Sequence, residues 1–235
     1  MVEIAGFNCR LVRRSSNVLR LSVSGSGKIS VYAPKRASMK QITDFVIAHR
    51  DFLKNAIEKQ ISRHDDGLFG DDPANPFIYY IGERVPVIFS ENSSVRPSLT
   101  QNGVVIPYGL SPNDYRHIIT ELYRPLTKAY VTERIKSISE EMGIGYEKLR
   151  FAQSTSRWGS CSSSGTVSFS VYLIAVPPRC IDHVIRHELA HFKVMNHSAD
   201  FYDLLAKYEP MHKELQAELR SVYGKWMRKF KISAS

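Results

Sequence analysis

The alternation of apolar and polar positions predicts that the first part of the chain is mostly β-structure. Apolar residues alternate between residues 9 and 32 and are interrupted by a Ser-Gly-Ser-Gly run, which indicates a hairpin or a small meander. Further strands are predicted at residues 77–81, 85–89 and 104–107. Between these groups, apolar residues recur at helical spacing over residues 38–62, behind a capping box of Ser38 and Gln41. The acidic segment 64–76, interrupted by glycine and proline, is expected to be a loop.

A second helical pattern follows this β-rich part. It begins at Ser111-Pro112, where a typical N-cap residue precedes proline at the first helical position, and it continues to Gly143, a natural terminator. Pro125 lies inside this pattern. Because proline lacks the backbone N–H and clashes with the preceding turn, we expect the helix to kink or to divide in two near residue 124.

The pattern then changes to that of a hairpin followed by another helix. Residues 166–173 alternate like a strand, and a turn at Ser164-Gly165 connects them to a preceding strand. The segment leads through Pro177-Pro178 into a helix with two faces. One arc carries Ile181, Ile185, Leu189 and Phe192, and another carries Cys180, Val184, His187, Glu188 and His191. The helix therefore has a core face and a separate polar face.

The polar face contains the H-E-x-x-H pattern of zinc hydrolases, His187-Glu188-Leu189-Ala190-His191. Positions i and i+4 lie one turn apart on the same side of a helix, so both imidazoles can bind one metal with the carboxylate beside it. His197 follows just beyond the helix. Structural zinc sites are usually closed by four ligands and rich in cysteine, whereas catalytic sites keep three ligands and a position for water. The alternative, a solvated surface helix, gives no reason for His197.

Composition and charge indicate which partners and which cellular compartment to expect. The net charge of +9 is expected to attract anions such as nucleic acid, nucleotides or acidic peptides, although no nucleic-acid-binding motif is recognisable. The three cysteines, Cys9, Cys161 and Cys180, are odd in number and widely spaced, which favours a reducing compartment and a cytoplasmic location. No apolar run approaches the roughly 20 residues that span a bilayer, so no membrane association is expected. The oligomeric state is not predicted.

Several motifs together resemble those of one family. The run Arg157-Trp158-Gly159-Ser160-Cys161, the pair Pro177-Pro178, the His187 motif and Asn196-His197-Ser198 with Phe201 are similar to the signature of the YgjP-like zinc metallopeptidases, bacterial relatives of the SprT metalloproteases. The matching motifs are concentrated within residues 150–201. The resemblance implies an α+β, zincin-like catalytic part. From this and from the pattern described above, we expect an α+β fold in which a β-rich N-terminal region with one long helix, residues 1–110, precedes this catalytic region, residues 111–235, with an active-site helix and an adjacent β-hairpin.

The resemblance also implies roles for individual residues. His187, His191 and His197 would bind one Zn²⁺ per chain, and Glu188 would be the general base. The leading hypothesis is therefore a metallopeptidase that hydrolyses peptide bonds with a zinc-activated water, acting on a peptide or protein substrate.

Two other functions remain open. A nucleotide phosphoanhydride hydrolase is compatible with the positive charge and would rely on cations such as Arg157 or Arg179, but the chain has no Gly-rich phosphate loop and no carboxylate cluster for magnesium. A non-enzymatic, zinc-stabilised binding module would leave Glu188 without a role.

The strand next to the helix that carries the H-E-x-x-H motif indicates a substrate cleft. Its edge would offer backbone N–H and C=O groups to an extended peptide, with Ser168 and Ser170 on one face and Arg157 and Trp158 at the border. For Trp158, plain core packing is the alternative. Candidates for a group that stabilises the oxyanion are Arg157, Tyr172, His183 and Tyr202.

Overall fold

The structure is a computed structural model and describes residues 2–23, 29–53, 55–56, 68–70, 75–92 and 94–231. It has the predicted α+β fold. The residues form two compact units, Met1–Phe77 with Pro86–Ile118, and Ile78–Val85 with Ile119–Ser235. The second unit therefore takes a short segment from the first half of the sequence. The predicted division of the chain at residue 110 stays a prediction.

The first unit contains a four-stranded sheet. Its strands are β1 (Val2–Ile4), β2 (Phe7–Arg14), β3 (Arg20–Val23) and β4 (Ile29–Pro34), in the order β1-β2-β4-β3. β3 and β4 form an antiparallel pair, whereas β2 and β4 run parallel. The predicted hairpin is therefore β3 with β4, and the Ser-Gly-Ser-Gly run between them lies outside the described residues.

Helix α1 (Met39–Ala48) packs against this sheet. The predicted capping box is present, because Ser38 Oγ accepts a hydrogen bond from the Gln41 backbone N–H at 3.2 Å and Gln41 Oε1 accepts one from the Ser38 N–H at 2.9 Å. Ile42 and Val46 are buried in the same core as alternate residues of β4, as the helical and strand periodicities require. Residues 50–53 and 55–56 are also helical, whereas the rest of the predicted helix and most of segment 64–76 lie outside the described residues.

Four further strands form a second sheet. They are β5 (Phe77–Tyr80), β6 (Glu83–Ser90), β7 (Ser98–Thr100) and β8 (Gly103–Pro107), in the order β5-β6-β8-β7. The strands predicted at 77–81, 85–89 and 104–107 correspond to β5, β6 and β8. The turn between β5 and β6 belongs to the second unit.

Helix α2 (Pro112–Met142) is continuous, so the predicted division at Pro125 does not occur. Its start is as predicted, because Ser111 Oγ accepts a hydrogen bond from the Asp114 N–H at 3.2 Å. Proline removes one helical hydrogen bond, but the turns on both sides of it are held by tertiary packing. Tyr123 and Thr127 are fully buried, and the Thr127 hydroxyl donates a hydrogen bond to the Val171 carbonyl.

A third sheet precedes the active-site helix. Its strands are β9 (Lys148–Ala152), β10 (Gly159–Cys161) and β11 (Thr166–Ser170), in the order β10-β11-β9. β10 and β11 form the predicted antiparallel hairpin, and β11 runs parallel to β9. The strand predicted to reach residue 173 ends earlier, because Val171–Ala175 form a 3-10 helix.

The remaining residues are mostly helical. They form α3 (Pro178–Ala190), α4 (Ala199–Tyr208), α5 (His212–Glu218), a π-helical turn (Leu219–Tyr223) and α6 (Gly224–Arg228). Among the described helices, none combines the length and apolar character needed to cross a bilayer.

Candidate active site

Helix α3 is anchored at its N-terminus by the β5–β6 turn. Ile81 N–H donates a hydrogen bond to the Ile174 carbonyl at 2.8 Å, and Gly82 N–H donates one to the Ala175 carbonyl at 3.0 Å. Gly82 has a φ of 82°, and a Cβ atom there would lie 2.6 Å from Pro177 Cγ, so glycine is required by both conformation and space. These contacts fix the segment that leads into α3.

The two faces of α3 are used as the periodicity predicts. Ile181, Ile185 and Leu189 of the core arc are completely buried, and Phe192 just beyond the helix is partly buried. The polar arc turns His187, Glu188 and His191 towards a common cavity. Helical spacing alone therefore places the candidate chemistry on one side of a well-packed helix.

Three histidines converge beside this helix. His187, His191 and His197 each offer one ring nitrogen, and these atoms lie within 4.8 Å of one another. His187 Nε2 and His197 Nε2 are 3.0 Å apart. Zinc–nitrogen bonds of about 2.0–2.1 Å place two tetrahedral ligands about 3.3 Å apart, so the observed spacing fits one metal ion. His191 Nδ1 lies 3.2 Å from the Val194 carbonyl, and a hydrogen bond there leaves Nε2 free to bind the metal.

Phe201 of α4 holds the three imidazoles in place. Its ring centroid lies 4.9 Å from that of His187, 4.6 Å from that of His191 and 4.9 Å from that of His197. The ring of His191 stacks on it at an interplanar angle of 27°. Because Phe201 is completely buried, core packing fixes its contacts with His187 and His191, whereas His197 lies in the exposed segment between α3 and α4.

The electrostatic surroundings favour neutral histidines. The pKa of His187 is lowered to about 3, mainly by burial and in addition by the neighbouring His191 and His197. Burial also lowers the pKa of His191. A neutral imidazole is the form that binds a metal, so these rings are ready to accept a cation without first losing a proton.

Glu188 lies between the histidines and strand β10. Its carboxyl is buried, which raises its pKa to about 8, while the positive charge of Arg157 acts in the opposite direction. A Cβ atom on Gly159 would lie 2.6 Å from Oε1 and 2.6 Å from Cγ of Glu188. Strand β10 therefore passes directly against the carboxylate, and only glycine leaves enough room there.

The three histidines and Glu188 line a cavity of about 550 Å³. Its walls come from residues 156–161, from α3 and from residues 216–228. Arg157 and Trp158 of the predicted cleft line it, as does His183, but Ser168 and Ser170 do not. Both serines lie on β11, which pairs with a strand on each side, and the Ser170 hydroxyl donates a hydrogen bond to the Ser154 carbonyl at 2.7 Å.

The strand edge at the cavity is therefore β10, the outer strand of its sheet. Trp158 C=O accepts from Ser170 N–H, and Ser162 N–H donates to Thr166 C=O, so the even-numbered residues face β11. In an antiparallel pair the residues between them point their backbone groups the other way. The N–H and C=O groups of Gly159 and Cys161 consequently lie on the outer edge, which pairs with no other strand of the described residues.

The other candidates from the sequence are engaged elsewhere. The Tyr172 hydroxyl lies 2.9 Å from Thr120 Oγ1. The Tyr202 ring stacks on that of His212 with centroids 5.6 Å apart, and its centroid is 6.2 Å from that of His197, but Tyr202 does not line the cavity. Arg179 pairs with Glu218 at 2.6 Å. Sequence reasoning did not find Gln216, Arg220 and Arg228, which line the cavity from the C-terminal helical segment, because no motif surrounds them.

Comparisons with known proteins place these features in context. The family model described as YgjP-like, metallopeptidase domain, matches residues 17–222. The metallopeptidase zymogen of Pyrococcus abyssi abylysin is 19% identical, with 40% of this chain and 95% of that chain covered and a TM-score of 0.36. The metallopeptidase zymogen of Methanocaldococcus jannaschii jannalysin is 21% identical, with 38% and 93% covered and a TM-score of 0.32. Comparison with curated proteins gives no match.

Proposed function

The chain belongs to the YgjP-like metallopeptidase family and is thus a metal-dependent peptidase, and we propose that it uses one Zn²⁺ to hydrolyse extended segments of proteins, with Glu188 as the general base. The observation that carries this proposal is the convergence of three histidine nitrogens within 4.8 Å, with the Glu188 carboxyl on the same helix face. Three neutral nitrogen ligands are typical of catalytic zinc sites, which keep one position open.

The proposed ligands are His187, His191 and His197. A bound zinc ion would supply a Lewis acid that polarises the scissile carbonyl and lowers the pKa of the attacking water. Phe201, packed against all three rings, would keep the ligands in place through the reaction. Since His191 Nδ1 lies beside the Val194 carbonyl, that hydrogen bond would orient its ring for binding through Nε2.

Glu188 is the group that would move the proton. Burial raises its pKa to about 8, so the carboxyl can exist in both protonation states near neutral pH. It would accept the proton of the attacking water as a carboxylate and then donate it to the leaving amine. Arg157, whose positive charge lowers the pKa of Glu188, would keep part of the population ionised before the reaction.

The substrate is proposed to bind along β10 and not along β11. An extended peptide can add to a sheet only at a free edge, because the N–H and C=O groups of a central strand are already paired. The backbone groups of Gly159 and Cys161 point to this edge, and Gly159 lies against Glu188. A peptide paired there would have its backbone next to the general base.

A cytoplasmic location is also proposed. Cys9, Cys161 and Cys180 are all free thiols, and Cys9 and Cys180 are buried. Free thiols persist in a reducing compartment. Fractionation of cells with the tagged chain would test this, and recovery with secreted material would contradict it.

The activity is tested with purified protein loaded with zinc. An unfolded protein substrate should be cleaved by the parent chain and not by the same chain after chelation. Glu188→Gln should retain zinc and lose cleavage by about 10²–10⁴-fold, the usual contribution of a general base. Cleavage by Glu188→Gln at the parent rate would contradict the role of Glu188, and absence of cleavage by the zinc-loaded parent would contradict the proposed function.

A further inference from the structure

Three arginines line the catalytic cavity and form no salt bridge with a carboxylate of the described residues, although the charge of Arg157 acts on Glu188. They are Arg157, Arg220 and Arg228. Other arginines of the same unit are paired: Arg134 with Asp182 at 2.7 Å, Arg179 with Glu218 at 2.6 Å, and Arg186 with Glu209 at 2.9 Å. Arg220 and Arg228 thus remain available to a ligand, and Arg157, whose charge also acts on Glu188, is held by no salt bridge either.

Their positions place positive charge on two walls of the cavity. Arg157 precedes β10 on one wall, whereas Arg220 and Arg228 belong to the C-terminal helical segment on another. Among the described side chains that line the cavity, Glu188 is the one carboxylate, and it lies next to the three histidines. The cavity therefore carries an excess of positive charge before any metal binds.

The local backbone brings Arg228 close to the cavity surface. Leu219–Tyr223 form a π-helical turn, in which the Gly224 N–H donates to the Leu219 carbonyl. A Cβ atom on Gly224 would lie 3.0 Å from that carbonyl oxygen and 3.7 Å from a guanidinium nitrogen of Arg228. The Arg228 guanidinium thus lies beside the backbone of Gly224, which carries no side chain, and Gly224 itself lines the cavity. Single π-helical turns within helices frequently occur at functional sites.

We propose that Arg157, Arg220 and Arg228 bind a carboxylate of the peptide substrate close to the scissile bond, so that this enzyme prefers acidic peptides. This inference rests on the proposed peptidase function. A guanidinium presents a planar pair of N–H donors that matches a carboxylate, and such charged pairs are stronger than neutral hydrogen bonds. The carboxylate is either an aspartate or glutamate side chain or the C-terminus of the peptide.

The first measurement is binding, which does not depend on turnover. Fluorescent peptides that differ only by glutamate or glutamine at each position around the scissile bond are titrated into zinc-loaded Glu188→Gln protein. A second pair carries a free or an amidated C-terminus. We expect the acidic member of one pair to bind about 3- to 10-fold more tightly for each arginine engaged, with the difference shrinking as salt rises. Which pair responds identifies the source of the carboxylate.

The second measurement assigns the preference to the arginines. Arg220→Gln and Arg228→Gln, each combined with Glu188→Gln, should reduce the ratio of glutamate-peptide to glutamine-peptide affinity. Arg150→Gln is the matched control, because Arg150 is exposed on β9, carries the same charge and does not line the cavity. It should leave the ratio unchanged. The hydrolysis rates of the parent and the single arginine variants provide the same ratio as kcat/KM.

The outcomes separate the two proposals. Equal affinity for acidic and neutral peptides, or an equal effect of Arg150→Gln, overturns the arginine inference even if peptides are cleaved. Acidic preference in binding without cleavage by the zinc-loaded parent supports the inference and contradicts the peptidase mechanism. If nucleoside triphosphates are hydrolysed and no peptide binds, the arginines bind phosphate groups. The carboxylate proposal is then overturned.

Discussion

Gly159 and Glu188 are in such close contact that a Cβ atom on Gly159 would lie 2.6 Å from Glu188 Oε1. A methyl group at this position cannot be accommodated unless the carboxylate or strand β10 moves. The glycine therefore controls the position of the proposed general base without any chemistry of its own.

Gly159→Ala is expected to lower peptide hydrolysis by at least about 10-fold, because a small displacement of a catalytic group is costly. Zinc content should remain near that of the parent, since the histidines are not touched. Gly145→Ala serves as the control, because a Cβ atom there meets no described atom within 4 Å. Parent-like kcat/KM for Gly159→Ala would show that the carboxylate does not need its observed position.

The second prediction concerns the zinc content of the three-histidine site. The purified chain should contain about one zinc ion, and His187→Ala, His191→Ala and His197→Ala should each reduce zinc content, because three ligands at one ion are individually needed. Metal analysis after dialysis provides the measurement. Full zinc retention in His197→Ala would remove the exposed histidine from the ligand set.

Arg157 should influence the pH dependence of hydrolysis. Its positive charge lowers the pKa of Glu188, so its removal favours the protonated carboxyl. Since the base must be ionised to accept a proton, the acidic limb of kcat/KM should move to higher pH in Arg157→Gln. Arg150→Gln, measured in parallel, should keep the parent profile. A shift of the limb to lower pH would contradict this coupling.

His183 should make the metal-free protein sensitive to acid. Its pKa is lowered from 6.5 to about 4, mainly by burial and in addition by His212 and Arg186. Between these values the unfolded chain binds a proton that the folded chain does not, so stability rises with pH from about 4 to 6.5 and this contribution is constant above that range. The gain amounts to about 3 kcal/mol at most.

Denaturant unfolding of metal-free protein at several pH values measures this effect. His183→Gln should remove its share of the increase between pH 4 and 6.5, including its smaller effect on the pKa of His187. Val184→Ala is the control, because it removes buried volume from the same helix without removing a titrating group, and it should lower stability equally at each pH. An unchanged pH slope in His183→Gln would exclude the buried neutral histidine as its cause.

The sequence predicted the features that depend on local spacing. Helix α3 and its two faces follow from a 3.6-residue period, and the Ser38 capping box and the start of α2 at Pro112 follow from short-range hydrogen-bonding preferences. The approach of His197 to His187 was expected because His197 follows the helix closely in sequence and because the family resemblance makes it a ligand. In each case the decisive residues are close in sequence.

What could not be predicted depends on contacts between distant segments. Alternation identified β11 as a strand but could not show that β9 and β10 pair with its two edges, which moves the proposed substrate from Ser168 and Ser170 to β10. Pro125 was expected to kink a helix or to divide it in two, and the division does not occur because tertiary packing keeps the helix continuous. Arg220 and Arg228 reach the cavity through the packing of the C-terminal helices, for which the sequence has no local signal.

The turn Ile81-Gly82 also makes assembly of the site depend on segments that are distant in sequence. It anchors the segment before α3, yet residues 86–118, which belong to the other unit, separate it from the rest of its own unit. Contacts of such large sequence separation form slowly, because chain entropy is lost before they stabilise the fold. The proposed metal site therefore depends on a turn that lies far before the H-E-x-x-H motif in the sequence and on the wall formed by residues 216–228 after it. The complete site is thus expected to form late in folding, together with the contacts that join these distant segments.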